Sequence, residues 1–163
     1  MTNAKPVEPV ANARIFVVDS HAQIRKQLAV WIARQPELSF CGEADNEHAA
    51  LSAIQEAAPD LVLMDLTFND ATGLATLAEI RRRHPGLPVL ALSIHDSLHC
   101  QRKALRAGAH GYITKQAAVN YLLTAIRAVL DGGTYFQTEA GREPVAGADS
   151  WKLKTNPAGG TSR

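Results

Sequence analysis

Short apolar runs alternate with longer amphipathic stretches along most of this chain, and this alternation limits the possible folds more than any other feature. Between the runs, apolar residues recur at helical spacing, as Ile24, Leu28 and Trp31 do. The runs themselves are short, rich in branched or aromatic residues and bounded by turn formers, as buried strands are: 14–18, 38–42, 61–64, 88–92 and 111–114. Strands that alternate with helices form βαβ units, whose right-handed crossovers build a parallel sheet covered on both faces. The pattern predicts an α/β fold, a doubly wound (βα)5 architecture with five parallel strands.

One folded domain accounts for the length and composition of the chain. With 163 residues, 46% of them hydrophobic, the sequence can form one core of ordinary size but not two. We expect this domain to span residues 14–136. Residues 1–13 and 137–163 fall outside the alternation, and the second segment is rich in Gly, Pro and small polar residues. We expect both segments to be disordered.

Charge, hydropathy and cysteine content argue against several classes of function. Lys and Arg total 17 against 16 for Asp and Glu, so we expect no general electrostatic attraction to DNA or to an acidic membrane. No apolar run has the length of a membrane span, and residues 1–13 lack the apolar core of a secretion signal. The two cysteines, Cys41 and Cys100, follow no metal or redox spacing. These features predict a cytoplasmic protein.

Chemically active side chains stand where four of the predicted strands end. They are Asp19 after the first strand, Asp65 after the third, Ser93 at the end of the fourth and Lys115 after the fifth. Ligands of a doubly wound sheet bind beyond the carboxyl ends of its strands, near the point where the strand order reverses. In a sheet of order 2-1-3-4-5, Asp19 and Asp65 would be neighbours at that point, with the other two residues beside them.

This set of side chains suits the transfer of a phosphoryl group to a carboxylate. Asp65 would attack phosphorus in line, while Lys115 and Ser93 would bind the phosphoryl oxygens. A divalent cation held by Asp65 and Asp19 would neutralise those oxygens, and Mg²⁺ fits because it takes hard oxygen ligands. Asp65 is therefore interpreted as a nucleophile presented by a rigid strand.

Four segments resemble the receiver domain of bacterial two-component response regulators, which has a flavodoxin-like (CheY-like) fold, and within it the NarL/FixJ branch. The segments, in the family's order and spacing, are RIFVVDSH (14–21), PDLVLMDLTFNDATG (59–73), PVLALSIHD (88–96) and ALRAGAHGYITK (104–115). The resemblance covers residues 14 to about 136. It implies a stand-alone receiver that accepts a phosphoryl group from a histidine kinase or a phosphotransfer protein in a phosphorelay.

The resemblance also implies roles for individual residues. Asp65 would be the phosphoacceptor, Lys115 would bind the phosphoryl group, and Ser93 and Tyr112 would be the switch hydroxyl and the switch aromatic residue. The chain would not be an enzyme, although it would assist its own Mg²⁺-dependent phosphorylation and dephosphorylation.

A bound Mg²⁺ would, by the same resemblance, contact Asp19, Asp65 and the backbone carbonyl of Thr67. Ser20 stands where the family normally has a second acidic residue. A hydroxyl carries no charge, so we expect only a weak or water-mediated contact between Ser20 and the cation.

The output implied by the resemblance is a protein-binding surface made by the fourth helix, the fifth strand and the fifth helix. Its partner would be a downstream protein or a second copy of the chain. NarL-type proteins usually continue into a helix-turn-helix domain, whereas here a Gly/Pro-rich segment follows Tyr135. We therefore expect no DNA binding by this chain.

Two other classes of function remain open. A pseudo-receiver would keep the fold as a binding module without using phosphate, and Ser20 favours this alternative. A phosphatase of the haloacid dehalogenase type also forms an aspartyl phosphate, but its nucleophile follows the first strand in a D-x-D pattern. Here the first strand ends in VVDSHAQ, which argues against that class.

Overall fold

The structure is a computed structural model, and it describes residues 11–66, 70–137 and 144–146. Helices and strands alternate through its first ten elements, as the sequence pattern predicts. Among the described residues, no helix has the combination of length and hydropathy that a membrane span requires. The elements are β1 (Ala13–Val18), α1 (Ala22–Ala33), β2 (Leu38–Ala44), α2 (Glu47–Ala57), β3 (Leu61–Asp65), α3 (Asp70–Arg83), β4 (Val89–Ser93), α4 (Leu98–Ala107), β5 (Gly111–Thr114), α5 (Lys115–Leu130), β6 (Tyr135–Gln137) and β7 (Pro144–Ala146).

All of these strands belong to one sheet with the order β2-β1-β3-β4-β5-β6-β7. The five predicted strands are parallel neighbours in the expected order 2-1-3-4-5. The sheet then continues, because β6 pairs parallel to β5 and β7 pairs antiparallel to β6. The predicted number of five strands is therefore two too low.

The two additional strands are too short to be read from a sequence pattern. Each has three residues, which is less than the four to eight residues over which strand periodicity can be recognised. β6 is placed by tertiary contacts: the amide of Tyr135 donates to the carbonyl of His110 at 3.2 Å, and the Tyr135 side chain is buried. β7 lies within the segment 137–163, which we expected to be disordered; most of that segment is outside the described residues, as are residues 1–10.

Alternate side chains of the strands enter two separate cores, one on each face of the sheet. Phe16 and Val62 point to the core covered by α2, α3 and α4, whereas Ile15 and Leu63 point to the core covered by α1 and α5. Because β3 and β4 are buried on both faces, their sequences are continuous apolar runs rather than an alternation of apolar and polar residues. Helices on both faces confirm the doubly wound architecture.

The junction between β5 and α5 positions a residue that matters for the site. Thr114 is the last residue of β5 and the N-cap of α5, and its hydroxyl accepts a hydrogen bond from the amide of Ala117 at 3.1 Å. Because an N-cap side chain satisfies an otherwise unpaired amide, the chain can turn directly from strand into helix. Lys115 becomes the first helical residue and lies at the carboxyl edge of the sheet.

Candidate functional site

Asp65 is the last residue of β3, the central strand of the five that were predicted. Every side chain of β3 is buried, and Asp65 is only 2% exposed. The strand holds its position through pairing with β4, and the next amide, that of Leu66, donates to the carbonyl of Leu92 at 2.8 Å. A carboxylate buried in this way is costly unless it is paired. Its partners therefore indicate what it can do.

Lys115 lies between two buried carboxylates. Its Nζ is 3.1 Å from Oδ2 of Asp65 and 3.3 Å from Oδ2 of Asp19. Asp19 is 1% exposed and the lysine side chain is 21% exposed. With all three groups ionised, two negative charges face one positive charge, so the site retains a net negative charge that a cation can neutralise.

The loop after β1 holds Asp19 through several hydrogen bonds. The Asp19 amide donates to the carbonyl of Ala44 at 3.1 Å, and Nη1 of Arg25 donates to the Asp19 carbonyl at 2.7 Å. Nε of Arg25 also lies 3.4 Å from a carboxylate oxygen of Glu43, a residue that is largely exposed at the end of β2. These contacts fix the backbone from which the Asp19 carboxylate projects toward Lys115.

His21 is a site residue that the sequence analysis missed. Its amide donates to Oδ1 of Asp19 at 2.8 Å, and its Nδ1 lies 3.1 Å from the same oxygen. One ligand atom each from Asp19, His21 and Asp65 lie within 4.8 Å of one another, which is close enough for a single metal ion to contact all three. The only sequence signal was the position of His21, two residues beyond Asp19 in the loop that follows β1.

The sequence also predicts Ser20 and the backbone carbonyl of Thr67 as metal ligands, and these two assignments stay predictions. Ser20 is exposed, and its Oγ lies 3.3 Å from Nδ1 of His21. Thr67 lies outside the described residues. The donor set of two carboxylates and one imidazole fits a divalent cation, because carboxylate oxygens are the ligands that Mg²⁺ takes in proteins. The described residues that could form such a site are Asp19, His21 and Asp65.

The two expected switch residues meet at the backbone of His95. Ser93 is buried at the end of β4, and its Oγ accepts a hydrogen bond from the His95 amide at 3.1 Å. The Tyr112 hydroxyl donates to the His95 carbonyl at 2.6 Å, and the Tyr112 side chain is 1% exposed. Both side chains line a cavity of about 20 Å³ that is also bounded in part by Leu66 and Cys100. The loop after β4 thus links both residues.

The structure therefore brings together three of the predicted site residues and connects two more. Asp19, Asp65 and Lys115 form one charged cluster, and Ser93 and Tyr112 are joined through the loop after β4. The charged cluster and Ser93 lie at the carboxyl edge of the sheet, where a doubly wound fold binds its ligands, whereas Tyr112 lies within β5.

Comparison with known proteins assigns this fold and site to a family. Residues 15–127 match the model of the response regulator receiver domain. A two-component response regulator of the LuxR family from Aurantimonas sp. SI85-9A1 superimposes with a TM-score of 0.73 at 32% identity, covering 80% of this chain and 92% of that one. The receiver domain of a putative NarL response regulator from Mycobacterium tuberculosis gives a TM-score of 0.68 at 27% identity, covering 75% and 98%.

Curated relatives are longer than this chain. The transcriptional activator protein ExaE of Pseudomonas putida is 36% identical over 149 residues, which is 91% of this chain and 67% of the relative. The response regulator GacA of Pseudomonas viridiflava is 32% identical over 80% of this chain and 61% of the relative. A further relative, DegU of Brevibacillus brevis, is matched over only 52% of its length. From its fold, its site and these comparisons, the chain belongs to the response regulator receiver domain family and is related to its NarL/LuxR-type members.

Proposed function

We propose that this receiver domain accepts a phosphoryl group on Asp65 and signals through the change of surface that follows. The observation that carries the proposal is the contact of 3.1 Å between Nζ of Lys115 and Oδ2 of Asp65. An ammonium group at this distance partly offsets the cost of burying the charge of the nucleophilic carboxylate. It is also placed to neutralise the oxygens of a phosphoryl group once one is attached.

The proposed reaction is an in-line displacement at phosphorus. A carboxylate oxygen of Asp65 forms a bond to phosphorus while the bond from phosphorus to the donor breaks, and the donor leaves with the electron pair. The donor is a phosphohistidine of a sensor histidine kinase or of a phosphotransfer protein. Hydrolysis of the acyl phosphate by water later restores the carboxylate. The domain then has the covalent structure that it had before phosphorylation.

A divalent cation belongs to this proposal, with Mg²⁺ as the expected ion. When bound, it would supply positive charge to the phosphoryl oxygens and help to align them. Asp19 and Asp65 would hold it, together with the backbone carbonyl of Thr67. Ser20 would contribute at most through a water molecule, because its side chain is exposed and interacts with His21.

The switch would act through the loop after β4. To donate a hydrogen bond to a phosphoryl oxygen, the Ser93 hydroxyl would move toward Asp65, and this movement would stretch the hydrogen bond that it accepts from the His95 amide. The Tyr112 hydroxyl bonds the carbonyl of the same residue, so movement of the loop changes the contacts of Tyr112. The Tyr112 ring is already buried in this structure, and we therefore place the change in the loop rather than in an inward rotation of the ring.

The surface that responds would be the face made by α4, β5 and α5. Two large side chains of α5, one of the elements of this face, are exposed: Val119 at 81% and Tyr121 at 44%. We expect these two side chains to contribute to the contact with a protein partner, either a downstream signalling protein or a second copy of the domain. The stand-alone organisation, the cytoplasmic location and the absence of DNA binding, which we expect from the sequence, stay predictions.

The test is the intact mass of the protein after incubation with Mg²⁺ and a small acyl phosphate. We expect one added phosphoryl group in the wild type and none in Asp65→Asn. Asp131→Asn is a matched control, since it removes an exposed carboxylate at the end of α5, and it should be labelled like the wild type. Equal labelling of the Asp65→Asn protein would show that another residue is the acceptor.

A pseudo-receiver that binds partners without phosphate is the second candidate, and the uncharged, exposed Ser20 is the observation that favours it. Failure of the wild type to gain mass with every divalent cation tried would support this alternative. The haloacid dehalogenase mechanism has no comparable support, because His21 occupies the position where a D-x-D pattern would need its second aspartate.

A further inference from the structure

The imidazole of His21 lies at the open side of the carboxylate pair. The two oxygens of Asp19 face different neighbours: Oδ2 is directed at Lys115, 3.3 Å away, and Oδ1 is directed at Nδ1 of His21, 3.1 Å away. The lysine and the imidazole therefore occupy separate sides of Asp19. A cation bound next to Oδ1 would therefore lie closer to the imidazole than to the ammonium group.

Nδ1 of His21 and Oδ1 of Asp19 lie at hydrogen-bond distance, and the same separation suits two ligands of one metal ion. Two donors bonded at about 2.1 Å and at right angles to each other are separated by about 3 Å. The observed separation is 3.1 Å, and a carboxylate oxygen of Asp65 completes a group in which all distances are at most 4.8 Å. Only a small shortening of the distances between the three ligand atoms is needed for all of them to bind one ion.

The backbone holds His21 in this position before any ion binds. Its amide donates to Oδ1 of Asp19 at 2.8 Å, and the residue is the N-cap of α1 in an extended conformation. Arg25 of the same helix holds the Asp19 carbonyl at 2.7 Å. The imidazole side chain itself is 62% exposed, so it can rotate slightly toward an ion without disturbing the core.

The chemistry of the donors favours a particular class of metal. Two carboxylates with a neutral hydroxyl at position 20 offer less charge than a set of three carboxylates. Mg²⁺ prefers oxygen ligands and gives up its water reluctantly. Imidazole nitrogen suits first-row transition ions, whose affinities for nitrogen and oxygen donors rise from Mn²⁺ through Co²⁺.

We propose that His21 is a nitrogen ligand of the cation site and that it raises the affinity of the site for divalent first-row transition ions more than for Mg²⁺. The neutral imidazole supplies a donor atom in place of the carboxylate that Ser20 does not provide. The inference concerns the same site as the proposed phosphoacceptor, but it is measured without any phosphodonor. Failure of labelling at Asp65 and failure of nitrogen ligation are therefore separate outcomes.

The first test is a calorimetric titration of the full chain with Mg²⁺, Mn²⁺ and Co²⁺, comparing the wild type with His21→Ala. We expect wild-type affinity to rise from Mg²⁺ to Mn²⁺ to Co²⁺. Loss of a direct ligand should weaken Co²⁺ binding by at least about tenfold, with a smaller loss for Mn²⁺ and a change below about threefold for Mg²⁺. His48→Ala removes another exposed imidazole, at the start of α2, and should leave all three affinities unchanged.

The second test needs no variant and so does not depend on how a variant folds. Electron spin echo spectroscopy of the Mn²⁺-loaded wild type should show coupling to ¹⁴N, and labelling of the histidines with ¹⁵N should change that coupling. Co²⁺ and Mg²⁺ affinities that fall equally in His21→Ala, or a Mn²⁺ spectrum without nitrogen coupling, would overturn the proposal.

Discussion

Replacing Lys115 by methionine tests whether its ammonium group is what allows two carboxylates to be buried side by side. At an effective dielectric constant of about 20, separations of 3.1 and 3.3 Å each correspond to a gross attraction of about 5 kcal/mol. Desolvation offsets most of this, and removing one member of a buried ion pair typically costs about 3–5 kcal/mol. Because the lysine keeps 21% exposure, solvent screening lowers the expected loss of unfolding free energy to about 2–4 kcal/mol.

The assay is equilibrium unfolding in urea at neutral pH, with a chelator present so that no cation replaces the lysine. With a slope of about 2 kcal/mol per molar urea, the midpoint of Lys115→Met should fall by about 1–2 M. Methionine preserves the length and apolar volume of the side chain, so the change is mainly electrostatic. Lys103→Met, which replaces an exposed lysine of α4, is the matched control and should change stability by less than about 0.5 kcal/mol.

A second substitution tests the same reasoning in the opposite direction. Adding Asp65→Asn to Lys115→Met removes one of the two carboxylates that then face each other, so we expect at least about 1 kcal/mol of the lost stability to return. If Lys115→Met unfolds at the wild-type midpoint, or if the double variant is less stable than the single one, the ammonium group does not stabilise the carboxylate pair.

Two further predictions concern the cation site and the response to pH. Ser20→Asp restores a carboxylate beside Asp19 and should tighten Mg²⁺ binding by at least about tenfold in a calorimetric titration; an unchanged affinity would mean that position 20 does not face the cation. Burial, with Arg81 nearby, lowers the pKa of His110 below its ordinary value of 6.5, and the amide of Val89 donates to its Nδ1 at 3.2 Å. Below pH 6.5 the unfolded chain then binds more protons than the folded one, so stability should fall as the pH drops through that value. His110→Asn keeps an acceptor without a titrating proton and should flatten the slope of urea midpoints against pH; an equal slope in both proteins would show that another group is responsible.

The sequence by itself determined the fold class and the strand that carries the candidate phosphoacceptor. Strands buried on both faces must be apolar throughout, so β3 and β4 appear as unbroken apolar runs, and the helices between them show a helical period. Asp65 and Ser93 could be placed at the ends of these runs because the runs end there. The order 2-1-3-4-5 was taken from the orders that doubly wound sheets commonly adopt, since no local pattern in the sequence selects it.

Tertiary structure alone decided how the side chains at this edge meet. The contact of Lys115 with Asp19 joins residues that are 96 positions apart, so no local pattern could predict it. The contact of His21 with Asp19 is local, but it depends on the conformation of the loop after β1. The strands β6 and β7 were also not predicted, since three residues are too few to show a period. Their positions depend on pairing with the edge of the sheet at β5. A sequence records local preference over a few residues, whereas these contacts come from packing and charge balance across the whole sheet.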